Sequence, residues 1–296
     1  MTYQPGDVID DRYRLVELIG QGSHGVVFRA DDLDLSAPVA IKALHPNITS
    51  EPIFKTRIAR EARAMGLLSG TSATQILAFN QSQQGTLYIV MELCEGKDLE
   101  RYLTDIEAKG QKLSVTRLLE LIEPVVDTLE VAHSRGIVHR DIKPGNIFVL
   151  RKKTRGVVRL LDFGLSKELG GVTITRQGSL TGSPSYMAPE VWAGKPQQLD
   201  HRVDLYTLGA VVFRMLAGQL PFPARKMIDL MRAVAGAPRP SLRAFRPELP
   251  EAIDPWVTRA LAIEPEERFG SAVEFWSELL VALGRPPTRD LDLDAP

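Results

Sequence analysis

Short apolar runs of strand length fill the first third of this 296-residue chain, and long helical patterns dominate everything after Cys94-Glu95-Gly96. Tyr13 to Ile19 alternates ahead of a glycine cluster, and Val26 to Ala30 and Val39 to Leu44 follow as short apolar runs. The spacing of Ile53, Phe54, Ile58, Met65 and Leu68 predicts one helix over 53–68. Ile76 to Phe79 and Leu87 to Leu93 read as two more strands, joined by a polar turn over 80–85. Further on, helices are predicted over 118–132, 203–216, 253–263 and 272–283, and the second is apolar enough to require burial. Loops rich in Gly, Pro, Ser and Thr connect them. The longest, Gly164 to Pro189, has a length typical of functional segments. Residues 284–296, proline-rich and then acidic, read as a tail or linker. No internal repeat is visible.

Composition removes several classes of function. At 44% hydrophobic and 25% charged, the chain has material for a large core. A net charge of −1 gives no field favouring nucleic acid or an anionic membrane. The single cysteine, Cys94, rules out an internal disulfide and fits a reducing compartment. No apolar run reaches membrane-spanning length, and Met1-Thr2-Tyr3-Gln4-Pro5 lacks the pattern of a signal peptide. The expectation is a soluble cytoplasmic protein, or a cytoplasmic piece of something longer.

Gly20-Gln21-Gly22-Ser23-His24-Gly25 lies between two predicted strands. Glycines let backbone N–H groups approach a phosphate with no Cβ in the way, although an ordinary glycine-rich hairpin looks the same. No helix follows at once, as a Rossmann unit needs, and the Gly-Lys-Ser/Thr ending of a P-loop is missing. Val39-Ala40-Ile41-Lys42 sets a lysine on an otherwise apolar strand. Either it snorkels to water from an edge strand, or it holds nucleotide phosphates and needs an acid to steady it. Glu61, on the 53–68 helix, is the candidate acid, and is otherwise a solvated helix charge. His139-Arg140-Asp141-Ile142-Lys143-Pro144-Gly145-Asn146 crowds acid, base and amide into one loop ahead of the apolar strand 147–150. Asp162-Phe163-Gly164 follows another apolar run, 157–161. Two carboxylate-bearing loops and an asparagine make a hard-oxygen site suited to Mg²⁺. Any one of these could be a surface turn; their order along one chain carries the reading.

The glycine loop 20–27, Lys42, the loop 139–146, Asp162-Phe163-Gly164 and Ala188-Pro189-Glu190 together resemble the eukaryotic-type protein kinase family. The resemblance covers about Tyr13 to Leu283. The Lys143-Pro144-Gly145-Asn146 form is similar to the bacterial Ser/Thr kinases of that family. It implies a bilobal α+β fold: an N-terminal extension over 1–12, then a kinase domain over 13–283. That domain has a sheet-plus-one-helix lobe over 13–91, a hinge over 92–96 and a helical lobe over 97–283; residues 284–296 follow it. The implied activity is transfer of the ATP γ-phosphoryl group to serine and threonine hydroxyls of proteins in signal transduction, with Mg²⁺ or alternatively Mn²⁺ as cofactor. Asp141 would accept the substrate hydroxyl proton, and Lys143 would steady the γ-phosphate in the transition state. Asn146 and Asp162 match the metal ligands, and Lys42 would pair with Glu61 when the helix swings in. Val27 and Ala40 would cover one face of the adenine and Phe148 the other, with Ile19, Gly20, Gly22 and Gly25 completing the ATP side of the glycine loop. Met91 matches the gatekeeper, Glu92 and Cys94 would offer backbone hydrogen bonds, and Asp98 would lie near the ribose. A second apolar stack would run through Met65, Leu77, Phe163 and His139, anchored by Asp204. Glu190 and Arg268 match a buried ion pair that marks protein kinases.

The same resemblance implies regulation. Arg140, helped by Lys167, would bind a phosphate on the activation loop, where Ser179, Thr175, Thr181 and Thr173 are the candidate acceptors of autophosphorylation, served by a homodimer acting in trans. The bland alternative is that loop hydroxyls only confer solubility. Ser183 stands where threonine is usual. Gly145 and Arg214 stand where some basophilic relatives carry glutamate, so a strict preference for basic residues before the target is not expected. His24, His133 and His201 show no metal spacing and read as structural or surface residues. Two other classes compete. A pseudokinase scaffold would have lost Lys42, Asp141 or Asp162, and a small-molecule phosphotransferase would lack the Ala-Pro-Glu motif and the long loop before it.

Overall fold

The computed structural model describes residues 3–22, 25–45, 66–152, 156–163, 184–194 and 199–287. Outside them lie Ser23, His24, Gly164 and Ser183, most of the predicted 53–68 helix with Glu61 and Met65, and the segment bearing Lys167, Thr173, Thr175, Ser179 and Thr181. The described residues form two compact units. One takes the chain up to Asp98 and then Asn146 to Phe163; the other takes Leu99–Gly145 and the chain from Pro184 onward.

The first unit is built on a six-stranded antiparallel sheet in the order β1-β2-β3-β4-β6-β5. Its strands are β1 Val8–Ile9, β2 Tyr13–Gly22, β3 Gly25–Asp32, β4 Ala37–Leu44, β5 Ile76–Gln81 and β6 Leu87–Glu92. β4 sits between β3 and β6, and every residue from Val39 to Leu44 is buried. Strand alternation then divides it. Val39 and Ile41 join Ile9, Tyr13, Leu15, Phe28, Ala30, Tyr88 and Val90 in one core, while Leu44 packs with Leu87 and Ile89 in another. Lys42 shares the parity of Leu44 and is 5% exposed, so the edge-strand reading of this lysine fails. The segment before Tyr13, set apart as an extension in the sequence, supplies β1, and its Ile9 is 1% exposed.

The glycine cluster forms a hairpin in which Gly22 pairs with Gly25. Gly25 is required sterically, since a Cβ there would lie 2.1 Å from the Ala43 carbonyl oxygen. Two register shifts in β2, between Leu15 and Glu17 and between Leu18 and Gly20, leave Ile19 unpaired and exposed. A third shift lies in β5, between Ile76 and Ala78, and makes Leu77 the extra residue of a bulge. Leu77 is 50% exposed, which corrects its placement in the apolar stack: the bulge breaks the alternation, so Ile76 and Phe79 pack inward in its place. A three-stranded ribbon completes this unit, β7 Gly96–Asp98, β8 Ile147–Leu150 and β9 Val158–Leu160. Leu160 ties it to residues 72–74: its carbonyl accepts from the Thr74 amide, and its own amide donates to the Ser72 carbonyl.

The second unit is helical: α1 Leu99–Glu107, α2 Val115–Ser134, α3 Pro189–Trp192, α4 Arg202–Ala217, α5 Met227–Gly236, α6 Ile253–Ala260 and α7 Ala272–Ala282. The Ser114 hydroxyl caps α2 by accepting from the Arg117 amide at 3.2 Å. Every residue of α4 from Val203 to Ala217 is buried, as its composition required. Trp256, Phe269 and Phe275 lock α6 against α7, with the Trp256 and Phe275 rings 4.9 Å apart. The stretch expected to run as loop to Pro189 instead contains a 3-10 turn, Pro184–Tyr186, with α3 starting at Pro189. Among the described residues, no helix is long and apolar enough to cross a membrane.

Candidate active site

Lys42 Nζ donates to Asp162 Oδ1 at 2.6 Å, joining residues 120 positions apart within the sheet unit. The lysine side chain is 6% exposed and the aspartate 41% exposed, so the cation is sheltered while its partner opens to solvent. The partner expected for Lys42, Glu61, lies outside the described residues; the partner observed is Asp162. Asn146 is buried, and its backbone carbonyl accepts from the Leu161 amide, which brings the end of the 139–146 loop beside the run into Asp162. Asp162 has φ +55 and Arg140 φ +67, left-handed values that cost energy for residues with a Cβ.

The groups expected around a base lie on the same unit. Val27 pairs with both Gly20 and Lys42, Ala40 pairs with Met91, and Phe148 lies between Asp98 and Arg159. Glu92 makes contacts that its sequence context did not suggest. Its Oε1 accepts from Arg159 Nε and from the Gln75 amide, both at 2.9 Å. Its own amide donates to the Gln75 carbonyl, so any backbone bond from Glu92 to a base must use its carbonyl.

In the helical unit, Asp141 and Lys143 form an ion pair at 2.7 Å. The loop carrying them is held by Asp204 of α4, which accepts from the His139 amide at 2.8 Å, the Arg140 amide at 2.7 Å and His133 Nε2 at 2.9 Å. Burial, the largest single influence, pushes the Asp204 carboxyl up. The hydrogen bond and charge of His133, the charge of His139 and the Arg140 amide together outweigh it and hold the group below the ordinary carboxylate range. His133 is therefore structural, and its ring lies 5.2 Å from that of His201. Arg268 grips Glu190 through two bonds of 2.7 Å and also donates to the carbonyls of Ala262 and Ile263.

Arg214 departs from expectation. It is 9% exposed, donates to Glu100 at 2.7 Å and to Glu107 at 3.1 Å, and bonds the Tyr186 hydroxyl at 2.7 Å. The added arginine is thus neutralised by two carboxylates, and the cluster carries a net negative charge. Burial pushes the Tyr186 phenol up to about 12, so it stays protonated. No local pattern could have announced Arg159, Glu100 or Glu107, because each is an ordinary charge on a strand or helix until its distant partner is known.

Asn146 and Asp162 are both hard oxygen donors. Among the described residues, no group of three or more His, Cys, Asp or Glu could hold a metal by itself. Mg²⁺ commonly takes one or two protein oxygens and completes its octahedron with phosphates and water, so the donor set fits.

An antiparallel sheet unit with a buried, acid-paired strand lysine, together with a helical unit built on a buried helix, makes this an α+β fold. The family is narrower: residues 13–278 match the Protein kinase domain, and the chain belongs to that family. It is 34% identical over 281 residues to the serine/threonine-protein kinase pkn3 of Myxococcus xanthus, covering 93% of this chain and 50% of that protein. It is 36% identical over 274 residues to the serine/threonine-protein kinase PksC of Streptomyces coelicolor, covering 91% of this chain and 48% of that one. The chain therefore spans about half the length of these curated relatives. Among solved structures, the Mycobacterium tuberculosis PknI kinase domain superposes with a TM-score of 0.72 at 28% identity, over 96% of this chain and 100% of that one.

Proposed function

We propose that this chain is a Ser/Thr protein kinase that transfers the γ-phosphoryl group of ATP to protein hydroxyls. The observation that carries the reading is the sheltered Lys42 paired with Asp162, next to Asn146. Lys42 binds the α- and β-phosphates; Val27, Ala40 and Phe148 enclose the base, and Asp98 meets the ribose. Asn146 and Asp162 hold Mg²⁺, for which Mn²⁺ is the alternative, and the bound metal neutralises charge on the β- and γ-phosphates. Asp141 orients the acceptor hydroxyl and takes its proton, and Lys143 stabilises the negative charge developing on the transferred group. Arg140 and Lys167 bind a phosphate acquired in the segment holding Thr173, Thr175, Ser179 and Thr181. Lys143, two residues after Asp141, supports serine and threonine over tyrosine as acceptors. The lone cysteine and the need for ATP support a cytoplasmic position for this part of the protein.

The test is transfer from labelled ATP to a generic protein substrate and to the enzyme itself. Wild type is expected to label serine and threonine. Asp141→Asn should lose at least about 10²-fold in rate while still binding Mg·ADP. Equal labelling by the two proteins, or labelling of small molecules alone, rejects this reading.

A further inference from the structure

The Glu92 carboxylate joins two parts of the sheet unit that are remote in sequence. Its Oε1 takes the Arg159 guanidinium from β9 and the amide of Gln75, just before β5. The pair is almost dry, with the Arg159 and Glu92 side chains 13% and 12% exposed. A charge pair this sheltered is little screened by salt and is costly to break from one side. Arg159 also donates to its neighbour's carbonyl, Val158, at 3.1 Å, which fixes the direction of its stem.

The ends of this clamp matter because of what adjoins them. Glu92 closes β6, directly after Met91, and opens the 92–96 segment. Arg159 is opposite Phe148 in the β8–β9 ladder and three residues before Asp162. Its neighbour Leu160 is held by the Thr74 amide at 3.0 Å and the Thr74 hydroxyl at 3.2 Å. On the nucleotide reading above, one end of the clamp adjoins the base and the other the metal-binding carboxylate.

We infer that Arg159 is a positioning residue: through Glu92 it sets the spacing between the base-binding end and the metal-binding end of the nucleotide site. The inference rests on the proposed ATP site. A rigid link of this kind acts on ligands that touch both ends and leaves a ligand touching one end unaffected. Orientation errors of about 1 Å are enough to weaken a site built for two-point contact.

The experiment compares adenosine with Mg·ADP by calorimetry on the full chain. Arg159→Met should weaken Mg·ADP by about five- to tenfold and leave adenosine within about twofold, with Arg159→Lys recovering part of the loss. If Arg159→Met does not fold, Glu92→Gln tests the same link, since it keeps the hinge backbone and removes the charge. Unchanged or tighter Mg·ADP binding in a folded variant overturns the inference, as does equal weakening of both ligands, which would mark general loosening of the fold. Should wild type bind neither ligand, the ATP-site reading itself is the one that falls.

Discussion

Asp204 shows how a single side chain can hold up a loop it never joins in sequence. Because its folded pKa is depressed, its contribution to stability is complete above the ordinary carboxylate range and is lost as pH falls through the folded value. As pH falls below about 5, wild type should lose more stability than Asp204→Asn, as read from urea midpoints at each pH; parallel curves would refute the assignment. Arg214 makes a second residue-scale prediction. Arg214→Met strands Glu107 and Glu100, whose side chains are 25% and 44% exposed. With that exposure the loss should be about 1.5–3 kcal/mol, below the range for a fully buried pair. Removing the acid as well, in Glu107→Leu/Arg214→Met, should return part of it. A neutral Arg214→Met in urea denaturation would show that the cluster holds nothing together. The resemblance already tied Asp204 to His139, whereas the partners of Arg214 are not legible in the sequence, where it reads as one charge on an apolar helix.

Among the elements, β1 is the least conspicuous and one of the most firmly tied. Asp10 and Asp11 both take left-handed φ, 50° and 56°, to turn β1 into β2. The Asp10 carboxylate then accepts from the Tyr88 hydroxyl at 2.7 Å and from the Gln83 amide at 3.0 Å. Arg12 makes a two-point bond to Asp32. A chain shortened to begin at Tyr13 should therefore melt lower, with Ile9 burial alone worth about 1.5–3 kcal/mol, and an unchanged melting temperature would contradict this. At 2 residues, β1 carries too little pattern to be recognised as a strand from sequence, whereas β9 lies inside the apolar run 157–161. Helices α1 and α5 are hidden for a related reason. Each buries only two residues four positions apart, Leu99 with Leu103 and Leu230 with Val234, which is too short a stripe to separate from a loop. The helices α2, α6 and α7 are legible because their apolar periodicity persists from turn to turn, and α4 because it is apolar on every side.

For the whole molecule, the proposed kinase activity predicts autophosphorylation between chains. Its initial rate should rise with the square of enzyme concentration, and wild type should label an Asp141→Asn chain added as acceptor. A rate per enzyme that does not change on dilution, with an unlabelled acceptor, would mean transfer within one chain. The sequence by itself determined the class of the fold, the chemistry-bearing loops and the family, because each is written in contiguous residues or in a repeating apolar period. Tertiary structure alone decided that Lys42 meets Asp162, that Leu77 turns outward at a bulge, that Arg214 is neutralised and that Glu92 is clamped by Arg159. Ion pairs and bulges depend on which distant backbone segments come within a few ångströms, and short-range order along a chain does not encode that distance.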